Sequence, residues 1–302
     1  MSNFLKSQYV FFAVVIFTLF LNPVWALLFG IALGMYKILY NPPKLSTYRK
    51  YTLETAVVLL GFGLSFNQVI SVGSKGLYQT AAGIITLLVI GTILGYVFKL
   101  NKKLSVLINV GTCICGGSAI AAVSGAIDAK DDDIAISTGV VFLLNAVALF
   151  VFPVLFINFK ISPEIYGIWC ALSIHDTSSV VGASAVNETS LAIATILKLT
   201  RTLWIIPLTI FYKFIHKAKG SSKFPYFIAL FVLATLITTF LPMDYYSSIA
   251  SYGKMLMSPA LFMVGYAVNL DTLKRVGMNS IGYGVILWVV SIVLGYLIAV
   301  SI

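Results

Sequence analysis

Lys198 and Arg201 stand one helical turn apart in Ala194-Thr-Ile-Leu-Lys-Leu-Thr-Arg-Thr-Leu-Trp204, a stretch otherwise apolar or hydroxylic. Like charges at i and i+3 repel unless an anion or a carboxylate lies between them. The surrounding apolar run starts near Ser190. The two cations therefore lie about 12 and 16 Å along a helix axis, too deep for easy snorkelling. Thr195 and Thr202 share their face. This is the chemistry of a buried anion site, with Arg the better fork for an oxyanion. Asp176 is the natural internal partner if no anion is bound.

Two further clusters put polar groups where apolar ones dominate. Ser173-Ile-His-Asp-Thr-Ser-Ser179 sets His175 beside Asp176, and on a continuous helix His175 would share a face with Ser178, Ser179 and Gly182. A His–Asp pair can carry a proton near neutral pH, so both are candidate ion-coupling groups. Asn109-Val-Gly-Thr-Cys-Ile-Cys-Gly-Gly-Ser118 interrupts another apolar run. Paired glycines weaken a helix interior by about 1 kcal/mol each. A break there frees backbone N–H groups, which are tolerated at membrane depth only where they line a cavity or are buried. A half-helix starting near Gly116 would aim a positive dipole and amide donors at an anion. Thr112, Cys113, Cys115, Gly116, Gly117 and Ser118, with Thr177, Ser178 and Ser179, are the expected substrate ligands beside Lys198 and Arg201. Asn109 and Asn145 join His175 and Asp176 as candidate ion-coupling residues. Packing through small residues, and polar helix-to-helix glue, are the structural alternatives. Arg201→Ala is expected to abolish substrate binding and leave folding intact.

The elements that must carry these residues are membrane helices. Of 302 residues 60% are hydrophobic and only 10% charged, against about 25% charged in soluble domains. That balance excludes a water-soluble enzyme, a disordered chain and a disulfide scaffold. Eleven apolar segments are expected, near 5–21, 23–39, 51–71, 77–98, 104–127, 133–157, 163–187, 190–212, 224–241, 246–270 and 278–301. If Pro23 only kinks one long helix over 5–39, the count is ten. Lys6 precedes an apolar run, but no small-residue cleavage site follows, so the first segment reads as a retained helix. The net charge of +10 sits in the short loops. Fifteen of the twenty Lys and Arg fall on one side if the N-terminus is cytoplasmic and the C-terminus outside. No linker divides the chain, so residues 1–302 read as one integral membrane domain. The expected partners are the lipid bilayer, a small anion, a proton or sodium ion, and in one arrangement a second copy of the chain; nucleic acid is not among them. Three cysteines in apolar runs and two histidines suit no metal site, no cofactor is expected, and no P-loop suggests ATP drive.

The chain also repeats. Leu60-Gly-Phe-Gly-Leu-Ser-Phe-Asn-Gln-Val-Ile-Ser-Val-Gly73 aligns with Val264-Gly-Tyr-Ala-Val-Asn-Leu-Asp-Thr-Leu-Lys-Arg-Val-Gly277 at one constant offset. The repeated helices are the third and tenth. An odd separation predicts opposite directions in the membrane, as in inverted-repeat transporters.

Four motifs carry a family resemblance: Gly111-Thr-Cys-Ile-Cys-Gly-Gly-Ser-Ala-Ile-Ala-Ala122, Ser162-Pro-Glu-Ile-Tyr-Gly167, Ile174-His-Asp-Thr-Ser-Ser-Val-Val181 and Leu197-Lys-Leu-Thr-Arg-Thr-Leu-Trp-Ile-Ile-Pro207. Together they resemble the YeiH-like family of proposed sulfate exporters, over nearly the whole chain from Tyr51 onward. The resemblance implies a bacterial inner-membrane secondary transporter, distantly similar to the bile-acid/sodium symporter and cation–proton antiporter superfamily. It implies an all-α fold with inverted repeats, discontinuous helices crossing at mid-membrane, and a scaffold beside a mobile core. The chain departs from that plan in one respect. Its candidate breaks, near Gly116 and Asp176, are two spans apart, whereas the repeat pairs helices seven apart. The expected function is secondary transport of sulfate or a related oxyanion or sulfonate. A channel or a sodium-coupled organic-anion symporter of the same architecture is the alternative. An intramembrane hydrolase using Ser178 or Ser179 with His175 is a more distant one, and Gly-x-Ser-x-Gly is absent.

Overall fold

The computed structural model describes residues 8–21, 23–36, 38–216, 226–267 and 277–301. Among them the only regular elements are helices: α1 (Gln8–Phe17), a 3-10 turn (Thr18–Phe20), α2 (Pro23–Met35), α3 (Leu45–Gly61), α4 (Phe66–Val97), α5 (Lys102–Cys113), α6 (Gly117–Ala126), α7 (Asp131–Phe159), α8 (Pro163–Ser173), α9 (Thr177–Ser184), α10 (Glu188–Leu203), α11 (Ile205–His216), α12 (Tyr226–Phe240), α13 (Tyr246–Tyr266) and α14 (Met278–Val300). Among the described residues four stretches are long and apolar enough to cross a membrane: Val69–Val97, Asp132–Phe159, Glu188–His216 and Met278–Val300. The chain is an all-helical, multi-pass membrane protein. It forms two compact units, residues 1–71 with 225–270, and residues 72–224 with 271–302.

In the first unit α2 packs backbone-to-backbone on α13. A side chain at Gly30 would strike the carbonyl of Phe262, and one at Gly34 that of Tyr266. Gly30 and Gly34 are one turn apart, the small-xxx-small spacing that lets membrane helices touch. Tyr266 Oη donates to Leu39 O at 2.7 Å, and Ser258 Oγ to Leu21 O at 2.6 Å. The repeated helices are α3 and α13. Leu45 at the start of α3 shares a cluster with Tyr266 at the end of α13, whereas Gly63, just past α3, meets Ala250 near the start of α13. The two helices run antiparallel, as the repeat requires. The segment expected over 51–71 is not one helix, because α3 stops at Gly61 and α4 starts at Phe66. Residues 268–276 of the repeat's second copy, including Asp271, lie outside the described residues, as do Lys6, Lys37, Lys217, Lys219, Lys223, Lys274 and Arg275.

The second unit holds the polar clusters. Its helix starts follow local capping chemistry. Asn101 Oδ1 accepts from Lys103 N at the start of α5, and Ser162 Oγ from Ile165 N ahead of Pro163 in α8. Asn187 Oδ1 accepts from Thr189 N and Ser190 N at the start of α10. Three acids, Asp131, Asp132 and Asp133, open α7, where a helix N-terminus favours them.

The expected spans over 104–127 and 163–187 are broken, near Gly116 and near Asp176. Each of these discontinuous segments folds back on itself. Lys103 Nζ, at the start of α5, donates to Asp128 O, past the end of α6, at 2.6 Å. Tyr166 Oη, in the first turn of α8, donates to Ala183 O near the end of α9 at 2.9 Å. A straight helix would hold the first pair about 37 Å apart and the second about 25 Å apart. The pairs α5–α6 and α8–α9 are therefore helical hairpins. One continuous helix, α7, about 43 Å long at 1.5 Å per residue, joins the base of the first hairpin to the base of the second. The hairpins enter the unit from opposite ends, and arms of about 12–18 Å bring their tips together near its middle. The unit thus holds a hairpin and a long helix twice over, α5–α7 and α8–α11, in opposite directions. The spacing of the two breaks, anomalous for crossing helices, is what this arrangement needs.

Candidate functional site

The site is built where the tips meet. Residues 114–116 and 174–176 are the two turns. Gly116 has φ +64° and ψ −128°, a conformation that favours glycine. A Cβ there would lie 3.3 Å from Cβ of Asp176. Each turn exposes the C-terminal carbonyls of one arm and the N-terminal amides of the next. In a membrane interior neither set can be left to solvent.

Lys198 and Arg201, on α10, satisfy the carbonyls. Arg201 is 2% exposed and Lys198 0%. Arg201 Nε donates to Cys113 O at 2.7 Å and its Nη2 to Thr112 O at 3.0 Å. Its Nη1 donates to Ala171 O at 2.9 Å and Leu172 O at 2.5 Å. Lys198 Nζ donates to Ile114 O at 2.7 Å and Ile174 O at 2.8 Å. Each cation bridges both hairpins. The pair also sits at two helix C-termini, where the macrodipole favours positive charge. Trp288 Nε1 completes the set, donating to Ser173 O at 3.1 Å. This use of Trp288, read from sequence as a packing or belt aromatic, was signalled only by an indole N–H that needs an acceptor.

Three expectations change. Lys198 and Arg201 are paired with backbone carbonyls, not with Asp176, because the hairpin ends put uncapped carbonyls within reach of α10. With its guanidinium holding four carbonyls, Arg201 also cannot be removed without consequence for folding. His175 does not share a helical face with Ser178, Ser179 and Gly182, because it lies in the turn before α9 begins at Thr177. It is wholly buried, and neither ring nitrogen has a hydrogen-bond partner. Its ring lies 6.2 Å from that of Trp288.

Asp176 is half-buried and is the N-cap residue of α9. Its carboxylate accepts from Ser178 Oγ, and its N–H donates to Asn145 Oδ1 on α7 at 3.3 Å. Asn145 is buried and its Nδ2 has no partner. Ser178 thus pairs with Asp176, and the Ser–His contact a hydrolase would use is not formed. Thr177, Ser178 and Ser179 open α9, all buried. Gly116, Gly117 and Ser118 open α6; Ser118 is exposed and Gly117 half-buried. Neither N-terminus has a side-chain cap. The first amides of α6 and α9 have no carbonyl within their own helix to receive them.

The remaining candidates are structural in their contacts. Thr112 Oγ1 donates to Ile108 O, and Cys113 Sγ to Val110 O, within α5. Cys115 is buried. Asn109 Nδ2 donates to Leu88 O on α4 at 3.0 Å, and a side chain at Gly91 would collide with it. Asn109 therefore packs α5 on α4, away from the tips.

The chain matches the family model described as Conserved hypothetical protein 698 over residues 7–297. It is 38% identical over 288 residues to a UPF0324 membrane protein of Porphyromonas gingivalis, covering 90% of this chain and 85% of the relative. It is 38% identical over 291 residues to one of Geobacter sulfurreducens, covering 95% and 94%. A third, from Vibrio parahaemolyticus, is 40% identical over 281 residues, covering 90% and 91%. No solved structure matches. In agreement with the YeiH-like resemblance of its motifs, the chain belongs to the Conserved hypothetical protein 698 family, that of the UPF0324 membrane proteins.

Proposed function

We propose that the protein is a secondary-active transporter that moves a small anion, of the oxyanion or sulfonate kind, across the bacterial inner membrane. One observation carries the reading: two hairpins enter from opposite ends and meet at tips where the N-termini of α6 and α9 lie side by side. Paired helix N-termini suit an anion, and the buried, unpartnered Nδ2 of Asn145 adds a directed donor. Hairpins of opposite entry suit alternating access, since moving either one opens the same tips to a different end. Lys198 and Arg201 act as positioning residues that hold the tips, with no substrate contact required of them. Coupling to a proton or sodium ion would fall to Asp176, the half-buried carboxylate beside the tips.

The test is uptake of labelled sulfate and methanesulfonate into proteoliposomes holding the full chain, under an imposed pH or sodium gradient. Saturable uptake that unlabelled anion on the far side accelerates supports a transporter. Flux with no saturation and no counterflow supports a channel, and absence of flux for both anions overturns the anion reading.

A further inference from the structure

Helix C-termini that meet inside a membrane protein offer carbonyl oxygens, and a bound sodium ion is one way to satisfy them. Here the oxygens are already taken. Gly111 O accepts from Gly116 N, and Cys170 O from Ile174 N. On the first hairpin Thr112 O and Cys113 O accept from Arg201, and Ile114 O from Lys198. On the second, Ala171 O and Leu172 O accept from Arg201, Ser173 O from Trp288 and Ile174 O from Lys198. Every carbonyl over 111–114 and 170–174 therefore has a donor on this chain.

Lys198 fills the position most like an ion site. Ile114 O and Ile174 O come from different hairpins and converge on one point, 2.7 and 2.8 Å from Nζ. Lys198 is wholly buried there. Carbonyls from separate segments turned toward one centre are what holds a desolvated monovalent cation. An ammonium is close in size to a potassium ion. Nζ needs only two N–H groups to serve both oxygens, so it holds them as an ammonium or as a neutral amine. Nearby side chains offer a metal ion little more. Asn145 Oδ1 is committed to the N–H of Asp176, and the atom it leaves unpaired is Nδ2, a donor. The Asp176 carboxylate accepts from Ser178 Oγ. Arg201, which keeps its charge in proteins, stands one turn from Lys198 and repels a further cation.

We propose that Lys198 is the tethered occupant of a monovalent-cation site formed by Ile114 O and Ile174 O, so that sodium and potassium have no place at the tips. The site itself is independent of what the protein carries. Its consequence for coupling rests on the transporter reading above: the sodium option at Asp176 is removed, and uptake ignores a sodium gradient.

The experiment follows thermal unfolding of the purified full-length protein in detergent, in sodium, potassium or N-methylglucamine chloride at equal ionic strength. The wild-type midpoint is expected to differ by less than about 1 °C between salts. Lys198→Ala vacates the point between the carbonyls. It is expected to unfold earlier in N-methylglucamine and to regain on the order of 3 °C in sodium or potassium, the shift that tenfold saturation of one site gives a chain of this size. Lys198→Gln keeps one donor for folding and adds one carbonyl oxygen. It is expected to gain in the same salts, and it carries the test if Lys198→Ala does not fold. Tyr166→Phe, a loss at the base of the second hairpin, is the control and should gain nothing. A wild type stabilised by sodium or potassium, or Lys198 variants whose midpoints ignore the cation, overturns the proposal and leaves anion transport standing. An equal gain in Tyr166→Phe overturns it too, because the effect is then general salt stabilisation. Wild-type anion uptake driven by a sodium gradient also overturns it, whereas absence of any anion uptake overturns the transporter reading alone.

Discussion

Gly116 and Asp176, sixty positions apart in the chain, touch at the tips of two hairpins, close enough that a Cβ on Gly116 would sit 3.3 Å from the Asp176 Cβ. The contact requires glycine twice over. The backbone at Gly116 has φ +64°, and the neighbouring tip leaves little room beyond it.

Gly116→Ala is therefore expected to destabilise the protein by about 1–3 kcal/mol, the range for a residue held in a sparsely populated backbone region. Gly117→Ala is the control. Its added methyl would meet only the ring of Phe142, at 3.6 Å, so near-wild-type stability is expected. Thermal unfolding of the two variants in detergent distinguishes them.

Arg201→Ala should cost about 3–5 kcal/mol, the range for breaking a buried charged partnership, because it strips donors from Thr112, Cys113, Ala171 and Leu172. Arg201→Lys should recover only part, since one ammonium, with three donors, cannot serve all four carbonyls that the planar guanidinium holds. Denaturant unfolding monitored by tryptophan fluorescence checks both. A variant as stable as wild type would show that the carbonyls find other partners.

Tyr166→Phe removes one hydrogen bond, to Ala183 O, that closes the second hairpin at its base. The expected loss is about 0.5–1.5 kcal/mol. Amide hydrogen exchange should quicken over 177–184 and stay unchanged in α13, which lies in the other unit.

Ser118 is exposed, whereas Cys113, Cys115 and Cys170 are buried. A Ser118→Cys variant should react with a water-soluble thiol reagent that leaves the native cysteines untouched, and bound anion should slow the reaction. Mass spectrometry of the labelled protein reads both effects. Labelling of the wild type at a rate equal to the variant would mean that the tips open widely.

Gly30→Leu and Gly34→Leu would each drive a side chain into a backbone carbonyl of α13. Loss of monodisperse protein on size-exclusion chromatography is the expected result, with Gly83→Ala as a tolerated change, its nearest contact being the Ile298 Cδ1 methyl at 3.8 Å.

Much of this protein is legible residue by residue, because the governing interactions are local or belong to the solvent. Too few charges to dissolve in water determine a membrane chain. Asn101, Ser162 and Asn187 mark helix starts through bonds to amides two or three residues away. Gly116 and Gly117 mark a break, and the Gly61/Gly265 repeat marks helices that prove antiparallel. The three clusters singled out by their polarity do converge. What the linear pattern could not settle is the direction the chain takes after each break. An apolar half-helix buries the same side chains whether it crosses the membrane or turns back, so periodicity is blind to the choice. Contacts distant in sequence decide it, such as Lys103 to Asp128 and Tyr166 to Ala183. The same folding-back brings four uncapped carbonyls to Arg201 and two to Lys198. A buried cation in a sequence calls for a negative partner. Only the tertiary structure shows that the partner is the backbone itself.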